Sequence, residues 1–265
     1  MRISNGSIVE PSDHLLAKLD SEAGELLRER FEEEGIDVRV RARAERVEAV
    51  DSGVRVLLSS GDVIEAERLL VATGRRPSVD GLGLEQLDVE LTKTGITVDE
   101  RMRAGEGVWA IGDPSGVALL THVGKYQARV AAANIAGRDY VADYRAIPAS
   151  VFTDPQVATV GDTKAEELVT ATHLIEGGRL STYERPKRPG LLKLAADAER
   201  RVLVGAVAVG PEAGEWIGQL TLAVRAEVPI DVLLDTIQPY PTFSEAIFSA
   251  VQKLDGTLRT SRAPT

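Results

Sequence analysis

The sequence predicts an α/β chain: strand–helix–strand units at the front, then a segment built on glycine turns, then an α+β domain. Three observations predict it. Short β-branched runs alternate with an amphipathic helical stripe over the first 65 residues. Two apolar runs, Leu69-Leu70-Val71 and Val108-Trp109, each lead into a glycine turn, Ala72-Thr73-Gly74-Arg75-Arg76-Pro77 and Ala110-Ile111-Gly112-Asp113. Strands then helices fill the rest of the chain after Ala146-Ile147-Pro148, the most credible linker.

Taken in order, Ser7-Ile8-Val9 reads as a short strand with Glu10 at its end. A helix follows: Asp20 can cap it, Glu22 falls in its first turn, Gly35 can close it, and Leu26, Leu27 and Phe31 give it an apolar face. Val38-Arg39-Val40 is the next strand, and Val54 to Leu58, Ser60-Gly61-Asp62 and Val63-Ile64 form a hairpin. Leu69-Leu70-Val71 is expected as a buried strand running into the first glycine turn. Gly81-Leu82-Gly83-Leu84 is a loop and Gly95 to Asp99 a short strand. An alanine-rich helix spans about Val123 to Ile135 and stops at Gly137. Beyond the linker, Ala149 to Thr153, Leu191 to Leu194 and Val202 to Val209 are strands, the last two joined by Asp197-Ala198-Glu199-Arg200. Ile217, Leu220 and Val224 mark one helix, and Ile247, Val251 and Leu254 a final one starting at Ser244.

Composition narrows the function. The 265 residues suffice for one large domain or two ordinary ones. A formal charge of −10 argues against a nucleic-acid surface, which needs a basic footprint. No apolar run reaches the roughly 18–20 residues that span a bilayer, and Met1 to Gly6 carry no signal-peptide apolar region, so a cytoplasmic location is expected. Cysteine is absent, which removes disulfides, thiolate metal ligands and thiol catalysis from this chain. His14 and His173 sit in no ligand pattern, and no metal motif is present.

The glycine turns are the informative feature. Glycine lets backbone approach a ligand closely, and a carboxylate after it accepts hydrogen bonds from ligand hydroxyls while repelling phosphate. In this order and spacing the two turns resemble the second half of the flavin site in the pyridine nucleotide-disulfide oxidoreductases, the family of dihydrolipoamide dehydrogenase, glutathione reductase and mercuric reductase. Glu10-Pro11-Ser12-Asp13-His14-Leu15-Leu16 and Asp20-Ser21-Glu22-Ala23 resemble that family's nicotinamide-binding domain after its second strand. Val151-Phe152-Thr153-Asp154-Pro155 and Val157 to Gly161 resemble the opening of its dimerisation domain, and Pro241-Thr242-Phe243-Ser244-Glu245 its C-terminal signature. The resemblance implies a partial Rossmann-like NAD(P)-binding part over 1–72, a second FAD-binding segment over 73–145, and an α+β dimerisation domain over 146–265 that forms a homodimer.

It also implies roles. Asp113 would hold the ribityl chain of FAD, with Gly112 and Gly74 letting backbone come close. Leu120, Thr121 and His122 would pass beneath the pyrimidine edge of the flavin, where a helix N-terminus favours negative charge. Glu10 would accept hydrogen bonds from a ribose, favouring NAD over NADP. Arg75 and Arg76 read as positioning residues. No Gly-x-Gly-x-x-Gly occurs anywhere in the sequence. Such loops place diphosphate at a helix N-terminus, so the sequence reads as an N-terminally truncated member (a fragment, a split gene product or a misplaced start) that is inactive in isolation.

One departure bears on the reaction. Where thiol-reducing members place a histidine before Pro-Thr, this chain has Tyr240, while the glutamate that would orient the ring is kept as Glu245. A phenol, with an ordinary pKa near 10 against about 6.5 for imidazole, is a poor general base at neutral pH. The expectation is therefore an FAD-dependent NAD(P)H oxidoreductase. A hydride would pass from nicotinamide to flavin, and electrons would then go to a small non-disulfide acceptor such as a quinone, with Tyr240 and Glu245 as the catalytic pair from the partner subunit. Two alternatives stay open: a lipoamide dehydrogenase-like thiol-disulfide reductase whose cysteines lie outside this chain, and a non-catalytic dimerisation module.

Overall fold

The computed structural model describes residues 6–182 and 189–261. The chain divides into two compact units, one made of Met1–Leu70 with Pro148–Thr265 and the other of Val71–Ile147.

The first unit opens with β1 (Ser7–Val9) and β2 (Asp37–Arg39), paired in parallel with Ile8 opposite Val38. Parallel neighbours need a crossover, supplied by helix α1 (Ser21–Glu33). Asp20 caps α1 as expected, its carboxylate accepting from the Glu22 N–H at 3.0 Å. Strands β3 (Ala44–Val50), β4 (Gly53–Leu58) and β5 (Val63–Ala66) form an antiparallel meander turning at Ser60 to Asp62, over a small core of Ala42, Val56 and Leu58.

After β6 (Leu91–Thr92), β7 (Gly95–Ile96), β8 (Arg103–Gly105) and β9 (Val108–Trp109) of the second unit, the first continues with β10 (Pro148–Val151), β11 (Gln156–Gly161), β12 (Val169–Ile175), β13 (Gly190–Asp197) and β14 (Val202–Gly210). These five make one antiparallel sheet in the order β10-β11-β14-β13-β12. Central strands covered on both faces lose the polar alternation of a one-sided sheet, and β14 accordingly reads Val-Leu-Val-Gly-Ala-Val-Ala-Val-Gly. Val157, Leu191, Val207 and Val209 pack with Leu15, Ala23, Leu26 and Leu27 around α1. Alternation leaves Leu192, Leu194, Ala206 and Ala208, all buried, on the opposite face. Helix α3 (Ala213–Arg225) packs across β10, β11 and β14, and α5 (Glu245–Ser261) across β12 and β13, with the short α4 (Ile230–Asp235) against α5.

The second unit holds two small hairpins, β6 (Leu91–Thr92) with β7 (Gly95–Ile96) and β8 (Arg103–Gly105) with β9 (Val108–Trp109), then helix α2 (Thr121–Ile135). Its core is Met102, Val130 and Ala131, with Val98, Trp109, Tyr126, Ala142 and Tyr144 packed around them.

The mixed α/β class is as the sequence predicts. One element is not. Leu69-Leu70-Val71 is neither a strand nor buried: Leu70 is 88% and Val71 68% exposed, and no described strand pairs with it. An apolar run becomes a strand only where a neighbour takes up its backbone N–H and C=O groups, and none of the described residues does. The expected strand from Gly95 to Asp99 is confined to Gly95–Ile96, and α2 begins at Thr121 instead of Val123.

Candidate functional site

Gly112 has φ 73° and ψ −152°, a combination that only glycine adopts without strain. The residue turns the chain from β9 into a single 3₁₀ turn, Asp113–Ser115. Both sides of the Gly112 residue are held. Its N–H donates to the Gln127 Oε1 at 2.6 Å, and its C=O accepts from the Ser115 hydroxyl at 2.8 Å. Gln127, from the middle of α2, is fully buried, and its Nε2 donates to Ser115 Oγ at 3.1 Å and to the Tyr144 hydroxyl at 3.0 Å. Tyr144 closes the network onto Met102 Sδ at 3.3 Å. Burial pushes the Tyr144 phenol above its usual value, against the opposing hydrogen bond from Gln127.

Asp113 emerges from this clamp exposed, and its carboxylate has no hydrogen-bond or ion-pair partner among the described residues. Helix α2 begins beside it. Leu120 is the N-cap in extended conformation, with no side-chain cap, and its C=O accepts from the N–H groups of Val123 and Gly124. The N–H groups of Thr121 and His122 precede those first bonds, and they form the positive end of the helix. Both residues are exposed, and Leu120 is half-buried. Gly124 brings the helix onto the turn, since a Cβ there would stand 3.1 Å from the Gly112 Cα. Gly74 has φ 126°, with open space where a Cβ would be. The next residue, Arg75, donates to the Leu119 C=O, which ties the first glycine turn to the start of α2.

The structure thus gathers Gly112, Asp113, Leu120, Thr121 and His122 in one unit, with Gly74 linked through Arg75. Glu10, Tyr240 and Glu245 belong to the other unit. Glu10 follows β1, and its Oε1 accepts from the Ser12 N–H at 2.9 Å. Tyr240 is 76% exposed. Glu245 is half-buried at the start of α5, its Oε2 3.0 Å from the place a Cβ on Gly178 would occupy. No hydrogen bond joins Tyr240 to Glu245. Among the described residues no cluster of histidine and carboxylates could hold a metal, and no helix is long and apolar enough to cross a membrane.

Gln127, Ser115 and Gly124 are the residues that sequence reasoning missed. One signal was available: Val123, Gln127, Val130 and Ala131 fall at i, i+4, i+7 and i+8, so Gln127 stands in the apolar stripe of α2.

Comparison with known proteins places the chain in a family. Residues 4–136 match the family model described as pyridine nucleotide-disulphide oxidoreductase, and residues 147–251 match that family's dimerisation domain. Dihydrolipoyl dehydrogenase 2 of Haloarcula marismortui is 35% identical over 263 residues, covering 94% of this chain and 55% of the relative. Dihydrolipoyl dehydrogenase of Thermus scotoductus is 36% identical, covering 95% of this chain and 57% of its own length. The crystal structure of LpdA from Mycobacterium tuberculosis superposes with a TM-score of 0.80 at 31% identity, covering 94% of this chain and 56% of that one. The HOCl-induced flavoprotein disulfide reductase RclA from Escherichia coli, at 22% identity and a TM-score of 0.82, shares the fold. The chain therefore spans a little over half the length of the relatives it matches. The names of those relatives favour the disulfide-reductase alternative over the non-disulfide acceptor expected from Tyr240. With both family models matched in order along its length, the chain belongs to the pyridine nucleotide-disulphide oxidoreductase family.

Proposed function

We propose that the chain supplies the ribityl-contacting and dimer-forming parts of an FAD-dependent NAD(P)H oxidoreductase of the dihydrolipoyl dehydrogenase type, working as a homodimer. The observation that carries the reading is the Asp113 carboxylate, exposed and unpartnered among the described residues, on a glycine-only turn beside the N-terminus of α2. These residues fit part of a flavin nucleotide. A carboxylate suits a chain of hydroxyls, and a helix N-terminus suits the electron-rich edge of a ring. They do not fit its diphosphate, for which the sequence offers no glycine-rich loop. When bound, flavin supplies two-electron chemistry between nicotinamide and an acceptor. The chain's own part is to bind and orient: Asp113 on the ribityl hydroxyls, the 120–122 backbone at the ring edge, Glu10 on a nicotinamide ribose.

A second reading concerns the acceptor, and Tyr240 carries it. An exposed phenol in place of an imidazole is ill suited to hold the proton of thiol chemistry at neutral pH, which favours a quinone or similar small acceptor. The test is turnover of the chain joined to the part of a dihydrolipoyl dehydrogenase relative that its match does not cover, supplied with FAD and NADH or NADPH and assayed with lipoamide and with a quinone in parallel, since the 265-residue chain has no cysteine of its own to pass electrons to a disulfide. Lipoamide reduction supports the first reading and quinone reduction alone the second. Protein that stays colourless at saturating FAD contradicts both and leaves a non-catalytic dimerisation module.

A further inference from the structure

We propose that Gln127 is the positioning residue of the Gly112–Asp113 turn, fixing where the Asp113 carboxylate points. For its ligand the proposal rests on the flavin reading; the clamp itself stands on geometry within one unit.

The orientation of the Gln127 amide follows from chemistry. The Gly112 N–H can only donate, so the atom 2.6 Å from it is the carboxamide oxygen. The NH₂ group must then face Ser115 and Tyr144, whose hydroxyls can accept. Ser115 in turn spends its own proton on the Gly112 C=O. Every polar atom of the buried side chain is satisfied, and the peptide groups on both sides of Gly112 are fixed by one chain of bonds running back to α2. Gly124, one helical turn before Gln127, lets the helix come close enough to make them. A buried, fully bonded amide of this kind specifies one arrangement of the groups around it. The neighbouring carboxylate gains no such support from its own side chain, which has no partner among the described residues, so its direction is inherited from the turn.

The experiment compares the 265-residue chain with Gln127→Met and Gln127→Glu. Methionine keeps the volume and removes every hydrogen bond. Glutamate keeps the acceptor for the Gly112 N–H and lets the Tyr144 hydroxyl reverse and donate. Amide hydrogen exchange is read at Gly112, with Val130 and Ala131 of the same helix as internal controls, and FAD affinity is read by flavin fluorescence titration. We expect Gln127→Met to speed Gly112 exchange about tenfold or more, as loss of one buried hydrogen bond implies, with the controls unchanged and FAD affinity reduced by a similar factor. Gln127→Glu should retain both. Unchanged Gly112 exchange in Gln127→Met overturns the proposal, as does equal acceleration at Gly112 and the control residues in both variants. Selective acceleration at Gly112 in a chain that binds no FAD even as wild type leaves the clamp standing and removes the flavin reading. Should the methionine variant not fold, Ser115→Ala, which removes the hydroxyl that bonds the Gly112 C=O and accepts from Gln127 Nε2 while the Ser115 N–H keeps its bond to that carbonyl, gives the same comparison, and unchanged Gly112 exchange there also counts against the clamp.

Discussion

Gly124 and Gly112 touch backbone to backbone: a Cβ added at Gly124 would stand 3.1 Å from the Gly112 Cα, closer than such contacts ordinarily come. Alanine in a helix interior normally stabilises by about 1 kcal/mol relative to glycine. Here it meets a Cα held on both sides by Gln127 and Ser115, and overpacking of this kind costs about 1–3 kcal/mol. Gly124→Ala should therefore lower stability by about 1 kcal/mol where helix propensity alone predicts a gain. Urea denaturation followed by circular dichroism measures the sign.

Lys193 joins the sheet to α1. Its Nζ lies 3.0 Å from Asp20 Oδ2, a carboxylate only 4% exposed, and 2.7 Å from Glu22 Oε1. Burial works against the ammonium, but hydrogen bonds to Glu22 and Asp20 outweigh it and raise its pKa above the usual lysine value of 10.5. A raised pKa contributes stability that is complete below the unfolded value and fades as pH climbs past it. Lys193→Met leaves the Asp20 carboxylate buried beside an apolar chain and should cost about 1–3 kcal/mol at pH 7. The deficit relative to wild type should shrink above roughly pH 10.5, which thermal melts across that range would reveal.

Asp255 works on the acid side. It is buried on α5 and accepts from Arg201 and Arg259, each at 2.7 Å. The Arg201 hydrogen bond foremost, with Arg259 beside it, holds the carboxyl below the usual aspartate value of 3.8 despite burial. For a depressed pKa the contribution is complete above the unfolded value and is lost as pH falls through the folded one. Asp255→Asn should cost about 1–3 kcal/mol at neutral pH and converge with wild type below pH 3.8. Acid titration of the unfolding midpoint checks this.

Tyr240 gives a prediction of the opposite kind. With 76% of its surface exposed and no hydrogen bond from its hydroxyl among the described residues, Tyr240→Phe should change stability by no more than about 0.5 kcal/mol. A change in turnover with unchanged melting temperature would place the hydroxyl in the chemistry.

What could be read from the sequence was what is decided locally. Asp20 caps α1 because a short carboxylate before a helix has an N–H within reach whatever lies around it. Gly112 marks its own turn because its backbone conformation excludes other residues. Leu69 to Val71 failed because burial of an apolar run depends on a partner strand, which local pattern does not report. Gln127 was passed over for the related reason that a helix-favouring polar residue reads as solvent-facing. Its place in the apolar stripe of α2 was legible, but the turn that approaches at Gly124 and takes up its hydrogen bonds was not. Glu10 lies between these cases: its place at a strand end was legible, its hydrogen bond to Ser12 was not.

The most direct test is a titration of the purified chain with FAD, wild type beside Asp113→Ala, read by flavin absorbance and fluorescence. Wild type should bind weakly and saturably, and the variant with an affinity lower by about tenfold or more, the scale of a lost charge-assisted hydrogen bond. Equal affinity in the two proteins, or no saturable binding by either, would contradict the flavin-holding role of Asp113.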